Sequence, residues 1–316
     1  MEIKQFELPK HLQPELNRAK RLEYITILYQ LSVVILMYLV MGSSQAMKTA
    51  WLEDALGIVP SISFLIALKI SDKGPDHKFQ YGYHKVFSIA YLTGSIALFG
   101  MGCFLIVDSI ISLINTEHPS IGSIMLFGQQ IWMGWIMIGV LIYSAIPAMI
   151  LGFKKLPIAK KLHNKILYTD AAAQKADYMT AFAAIVGIIG IGAGLWWADA
   201  CAAIIISGSV LKDGYTNLKT AILDLMDRRP VHIDSSGEDE LIAKVEEYVK
   251  SWEWVKDAKS RFREHGQVYY GEIFIVADGN YPLPQYTENS LHDLKNFHWK
   301  LHDVVITIVK QLPEWK

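Results

Sequence analysis

The 316-residue sequence is 52% hydrophobic and only 19% charged, which excludes an ordinary water-soluble domain as the whole of the chain. Its 30 lysines and arginines against 31 aspartates and glutamates leave a net charge of -1, so no overall basic field points to nucleic acid. Cys103 and Cys201 both sit inside apolar runs, where cysteine acts as a small hydrophobe and not as half of a disulfide framework.

In chain order, the stretch from Met1 to Asn17 is polar, contains Pro9 and Pro14, and lacks the apolar centre of a signal peptide. It reads as a cytoplasmic arm, taken as residues 1–20. Segments approaching the roughly 20 apolar residues that cross a hydrocarbon core follow. They are Tyr24–Gly42, Ala46–Ile70, Val86–Ile114, Ile124–Phe153, Ile166–Leu195 and Trp196–Leu211, making a six-helix transmembrane bundle over residues 21–227. Lysine and arginine gather before the first segment (Arg18, Lys20, Arg21), after the second (Lys73, Lys78, Lys85) and after the fourth (Lys154, Lys155, Lys160, Lys161, Lys165). Short basic loops stay in the cytoplasm, so both termini are expected there, and the membrane is the inner membrane if the cell is bacterial. Trp196 and Trp197 suit the outer interface.

After Leu225 the composition changes, and Asp227, Arg228, Arg229 and Pro230 open a second, cytoplasmic domain over residues 228–316. Ser235 or Ser236 can cap a helix from Glu238 to about Ser251, with Leu241, Ile242, Val245 and Val249 on one face. Strands are predicted near Lys256–Arg263 and at Val268–Ala277, joined by a Glu264–Gln267 turn. A second helix is predicted from about Ser290 to Gln311, ending at Pro313 and leaving no room for a final strand.

Within the apolar segments, an ionisable side chain at bilayer depth costs about 2.5 to 3.5 kcal/mol on insertion scales, so such residues tend to be functional. Glu53 and Asp54 in the second segment and Asp177 in the fifth fall near mid-depth. Asp170, Gln174 and Asp177, spaced by four and three, form one polar stripe about 10 Å long. A functional role outweighs a structural one for Asp177 and Glu53. For Asp54, Asp170 and Gln174, hydrogen bonding between helices accounts for the residues equally well. Asp108 and Asp199, near the outer ends, read as interfacial.

The loop Asp76-His77-Lys78-Phe79-Gln80-Tyr81-Gly82-Tyr83-His84-Lys85, the run Thr169-Asp170 through Asp177 and the run Trp196-Trp197-Ala198-Asp199 resemble corresponding stretches of the cation diffusion facilitator family. The resemblance spans nearly the whole chain. It implies six helices plus a ferredoxin-like α+β cytoplasmic domain, a homodimer in the lipid bilayer, and export of a divalent metal in exchange for protons. The family's transport site takes two ligands at i and i+4 from each of helices two and five. Those positions hold Glu53 and Gly57 on helix two, Ala173 and Asp177 on helix five. Candidate metal residues are therefore Glu53, Asp177, Asp54, Asp170 and Gln174. Zinc is the family default, but a set of carboxylates without imidazole favours iron or manganese. The family's loop histidine positions hold Phe79 and Tyr83, its tail positions fall near Ala258 and Phe274, and Lys175 matches a basic residue read as structural. His292, His298 and His302 are expected as surface residues of the last helix.

The resulting expectation is an antiporter in which Glu53 and Asp177 release protons to take a metal ion and take them up again when it leaves. The alternative is a transport-inactive relative serving as a membrane scaffold, because Gly57, Ala173, Phe79 and Tyr83 ligate weakly or not at all. No cofactor is expected beyond the transported ion and protons. No nucleophile–base pair, phosphate loop or zinc-protease motif suggests an enzyme.

Overall fold

A computed structural model describes residues 8–42, 44–115, 121–126, 129–234, 236–279 and 283–314. Six long helices run in chain order: α1 (Gln13–Val40), α2 (Gln45–Ser71), α3 (Val86–Ile114), α4 (Met133–Leu162), α5 (Lys165–Gly192) and α6 (Ala198–Leu225). Among the described residues, five of them, all but α6, hold a stretch long and apolar enough to cross a membrane. In α6 the C-terminal half carries Lys212, Asp213, Lys219 and Asp224, which lower its apolar content without shortening the helix. Large apolar side chains such as Leu28, Ile35, Phe104, Phe182 and Val186 point outward and are exposed. Lipid tails accept such a surface where water would not.

Two compact units are present, one made of Pro14–Lys69 and Ile89–Lys219, the other of residues 8–13, 70–88 and 220–314. In the first unit, Val33, Met37, Met47, Ala50, Met137, Leu141, Ala181 and Ile188 from α1, α2, α4 and α5 form the apolar core. Helices α3 and α6 approach at paired glycines. A Cβ at Gly102 would lie 2.8 Å from the Leu211 backbone, and one at Gly214 would lie 2.7 Å from the Phe99 backbone. Small residues give helices in lipid the close van der Waals contact that substitutes for a hydrophobic driving force.

The fourth predicted segment needs correction at both ends. Ser123–Leu126 and Gln129–Trp132 form an antiparallel hairpin, β1 and β2, with Ile124 opposite Ile131, and α4 starts only at Met133. Gln129 and Gln130 interrupt the apolar run that Ile124–Phe153 was expected to continue. At the other end α4 extends through the expected loop lysines to Leu162, closed by His163 in the left-handed conformation (φ 46°). Lys154, Lys155, Lys160 and Lys161 are thus helical, and Lys155 is fully buried.

The second unit contains α7 (Glu240–Lys250), β3 (Val255–His265), β4 (Val268–Ala277), α8 (Leu283–Phe297) and β5 (Leu301–Ile308). Strands β3 and β4 pair antiparallel as expected, but the ladder runs through Glu264 and His265 and leaves a tighter turn at Gly266, whose φ of 71° suits a residue without Cβ. The expected long last helix is wrong: α8 stops at Phe297, and Leu301–Ile308 forms a final strand pairing parallel to β4, giving the order β3-β4-β5. Val304-Val305-Ile306-Thr307-Ile308 is a β-branched run, which packs better on a pleated sheet than in a helix. The predicted face Leu241, Ile242, Val245 and Val249 packs on Trp254, Phe262, Ile273, Ile275, Leu294 and Val304.

Asp239 caps α7, where Ser235 or Ser236 was expected; Ser235 lies outside the described residues. Its carboxylate accepts hydrogen bonds from the Leu241 amide at 2.9 Å, the Tyr269 hydroxyl at 2.5 Å and the Lys300 ammonium at 2.7 Å. Burial opposes its charge, yet the Lys300, Tyr269 and Leu241 donors hold its pKa well below the usual carboxylate range. A group with a depressed folded value stabilises fully above its ordinary value of 3.8, and the contribution is lost as pH falls below that. Asp239→Ala is therefore expected to cost about 2 kcal/mol near neutral pH, combining a lost cap with a lost charged hydrogen bond. The penalty should shrink below the ordinary value. Trp fluorescence unfolding of parent and variant at pH 7 and pH 3 checks this, and an equal penalty at both would rule out the carboxylate's charge as its source.

Candidate functional site

Helix α1 presents a buried face at Glu23, Thr26, Gln30, Val33 and Met37, spaced by three, four, three and four. Its first half is polar. Glu23 and Asp170 of α5 flank the Lys155 ammonium, which donates to Glu23 at 3.0 Å and also to Asp170, and all three side chains are fully buried. The Ser61 hydroxyl of α2 donates to the other Asp170 oxygen at 2.9 Å. Both Asp170 oxygens are thus engaged in an ion-pair network linking α1, α2, α4 and α5.

Two turns further along α5 lies Asp177. It and Glu53 line one small cavity with Leu56, Gly57, Pro60, Gly94, Leu98, Thr169, Ala173 and Ala176, with about 20 Å³ of room, enough for a single water-sized guest. Neither carboxylate oxygen of Glu53 receives a hydrogen bond of full geometry, although the residue is only 2% exposed; the Thr180 hydroxyl of α5 is its nearest donor. An unpaired buried carboxylate costs several kcal/mol and calls for a counterpart. The charges of Glu53, Asp54 and Asp177 act on one another. Asp54 accepts from the Ser144 hydroxyl of α4 at 3.2 Å, and the Tyr29 hydroxyl of α1 donates to the Ser144 carbonyl. Gln30 donates from Nε2 to Asp177 at 3.4 Å.

Of the candidates read from the sequence, Glu53 and Asp177 share the cavity, and Asp54 sits next to Glu53 on a different side-chain partner. Gln174, fully buried with both amide atoms unpaired, packs against α4 at Gly152: a Cβ there would lie 3.2 Å from the Gln174 Cβ. Asp170 belongs to the lysine network. Sequence reading missed Glu23, Gln30, Ser61, Ser144 and Lys155. The three-and-four spacing of Glu23, Thr26 and Gln30 was the available signal. Among the described residues, no three or more His, Cys, Asp or Glu side chains are gathered so as to enclose a metal ion.

In the second unit, Asp76 organises the loop after α2: it accepts from the Lys78 and Phe79 amides and from the Tyr83 hydroxyl at 2.6 Å. These bonds, Tyr83 first, stabilise the carboxylate and lower its pKa. Its partners are protein donors and leave it a structural role. His292 is exposed on α8 as expected, but the other two histidines are not on that helix. His298 follows α8 and His302 lies on β5, so they do not share a helix face. The His302 ring packs 4.8 Å from His84 and 5.3 Å from Tyr270, which in turn lies 4.3 Å from His265. Burial and then His302 push His84 down to about 4, and burial followed by Lys85 and Arg263 pushes His265 down to about 3, so both rings are neutral at physiological pH.

A family model described as the cation efflux transmembrane domain matches residues 24–226. Protein p34 of Rickettsia rickettsii is 24% identical over 95% of this chain and 89% of its own length. The manganese efflux system protein MneS of Bacillus subtilis is 24% identical over 80% of this chain and 79% of its own. The cation-efflux pump FieF of Salmonella newport is 26% identical over 77% of this chain and 75% of its own. With five membrane-length apolar helices and a family match over more than half its length, the chain is an integral multi-pass membrane protein. It belongs to the cation efflux family and is a transporter, not an enzyme.

Proposed function

We propose that the protein exports a divalent metal cation in exchange for protons, from a site centred on Glu53 and Asp177 between α2 and α5. The observation that carries this reading is the shared cavity, which two buried carboxylates, Glu53 and Asp177, line together. Two carboxylates balance the charge of a divalent ion, and Asp54 stands ready beside Glu53 as a third. Asp170 and Gln174 continue the polar stripe along α5, but Asp170 is held by Lys155 and Ser61 and Gln174 packs against Gly152, so they support the site from behind instead of binding the ion. Manganese or ferrous iron suits an oxygen-only donor set better than zinc does. The naming of MneS as a manganese efflux protein agrees with that preference.

Protons and metal compete because the same oxygens bind both, so loading the ion releases protons and unloading takes them up. The full reading has α6 crossing the membrane as the sixth helix, both termini in the cytoplasm of the cell membrane, a ferredoxin-like second unit, and a homodimer. The test is reconstitution into proteoliposomes under a pH gradient, screened metal by metal. Mn²⁺ or Fe²⁺ should enter faster than Zn²⁺, with a matching proton counterflux reported by a luminal dye. Uptake no faster than in protein-free vesicles for every ion would overturn the reading.

The incomplete ligand set favours a second reading, a transport-inactive scaffold, since Gly57 and Ala173 stand at expected ligand positions and no enclosing group of three ligands is present among the described residues. Calorimetry separates the two. Saturable divalent binding that disappears in Asp177→Ala belongs to a transporter and not to a scaffold.

A further inference from the structure

We propose that Gln30 of α1 is a ligand for the transported ion and sets its selectivity, its carboxamide occupying the place left by the missing side chain at Gly57. The inference rests on the Glu53–Asp177 site proposed above. Gln30 is 1% exposed and reaches the site from a third helix. Its Nε2 lies 3.4 Å from Asp177, and its Oε1 is buried without any hydrogen-bond partner. A Cβ built on Gly57 would lie 2.8 Å from that Nε2 and 3.7 Å from both Asp177 carboxylate oxygens. The carboxamide therefore fills the volume that a side chain at Gly57 would claim, directly beside the acidic group.

The chemistry follows from the two ends of the amide. With the site empty, Nε2 donates to Asp177 and offsets part of its buried charge. A half-turn about the last side-chain torsion brings Oε1 to the same place, where it can replace a water on an incoming ion. Glu53, Asp177 and this amide oxygen form a hard donor set whose two negative charges neutralise a divalent cation. An amide oxygen adds a ligand without adding charge, and it favours manganese or ferrous iron over zinc, which gains more from imidazole or thiolate. The position of Gln30 is fixed by its neighbours on the same face: Glu23, two turns away, is tied to Lys155, and Val33 and Met37 are packed in the apolar core.

The test is calorimetry with Mn²⁺ and Zn²⁺ on the purified full-length protein. Gln30→Met keeps the volume and removes both polar atoms. It should weaken Mn²⁺ binding at least tenfold, change Zn²⁺ binding much less, and so shrink the Mn²⁺/Zn²⁺ ratio, a quantity that a purely structural role would leave alone. Gln30→Glu should keep Mn²⁺ binding. Gln30→Ala combined with Gly57→Asp should regain it, since the new carboxylate enters the vacated volume. If Gln30→Met binds Mn²⁺ like the parent while Asp177→Ala has lost it, Gln30 is no ligand and the site still stands. If Asp177→Ala also binds like the parent, the site itself and this inference fall together.

Discussion

Asp177→Asn should abolish measurable metal uptake, and Glu53→Gln should do nearly the same, while both proteins remain folded. Each change keeps the side-chain shape and removes one negative charge from a buried site. A divalent cation then faces one carboxylate instead of two, and an uncompensated unit charge at bilayer depth costs about 2.5 to 3.5 kcal/mol. At roughly 1.4 kcal/mol per factor of ten, that is about a hundredfold in affinity. Asp54→Asn should have a smaller effect, since Asp54 already accepts from Ser144 and its residue is not among those lining the cavity. Initial rates of uptake into proteoliposomes for the three variants check the order. Parent-like rates for both Asp177→Asn and Glu53→Gln would remove the site from the cavity altogether.

Much of this was visible in the amino-acid sequence because membrane helices announce themselves by length and by the rarity of charge. Glu53, Asp54 and Asp177 stand out for the second reason. Elements whose signal is weaker were misread. The final strand Leu301–Ile308 reads as helix in the sequence because no proline or glycine separates it from α8, although the run of Val304, Val305, Ile306, Thr307 and Ile308 is a strand composition. Lys155 reads as a loop lysine because it follows an apolar segment. Only packing reveals that α4 continues and carries it inside, against two carboxylates. Gln30 escaped for a different reason. A neutral amide costs far less in an apolar helix than a charge, so a single glutamine gives little warning, and its meaning depends on the absence of a side chain at Gly57 on another helix.

Lys155→Met should be the most destabilising single change in the first unit. The ammonium sits between Glu23 and Asp170 with no exposure on any of the three side chains. Methionine matches its length and volume, so the loss is electrostatic. Removing one partner from a buried ion pair typically costs about 3 to 5 kcal/mol, because the remaining charge has lost both solvent and counterion. Here two carboxylates are left facing each other, with the Ser61 hydroxyl as a donor to Asp170 and one Glu23 oxygen already unpaired. The expected result is a sharp fall in thermal stability and in the yield of monodisperse protein in detergent. Neutralising the acids in the same chain, as Glu23→Gln with Asp170→Asn, should recover most of it, since replacing a whole buried ionic group by neutral side chains of like size is often close to neutral in free energy. A triple variant no more stable than Lys155→Met would show that the lysine acts through packing. A Lys155→Met protein as stable as the parent would mean that the three charges do not hold α1, α4 and α5 together.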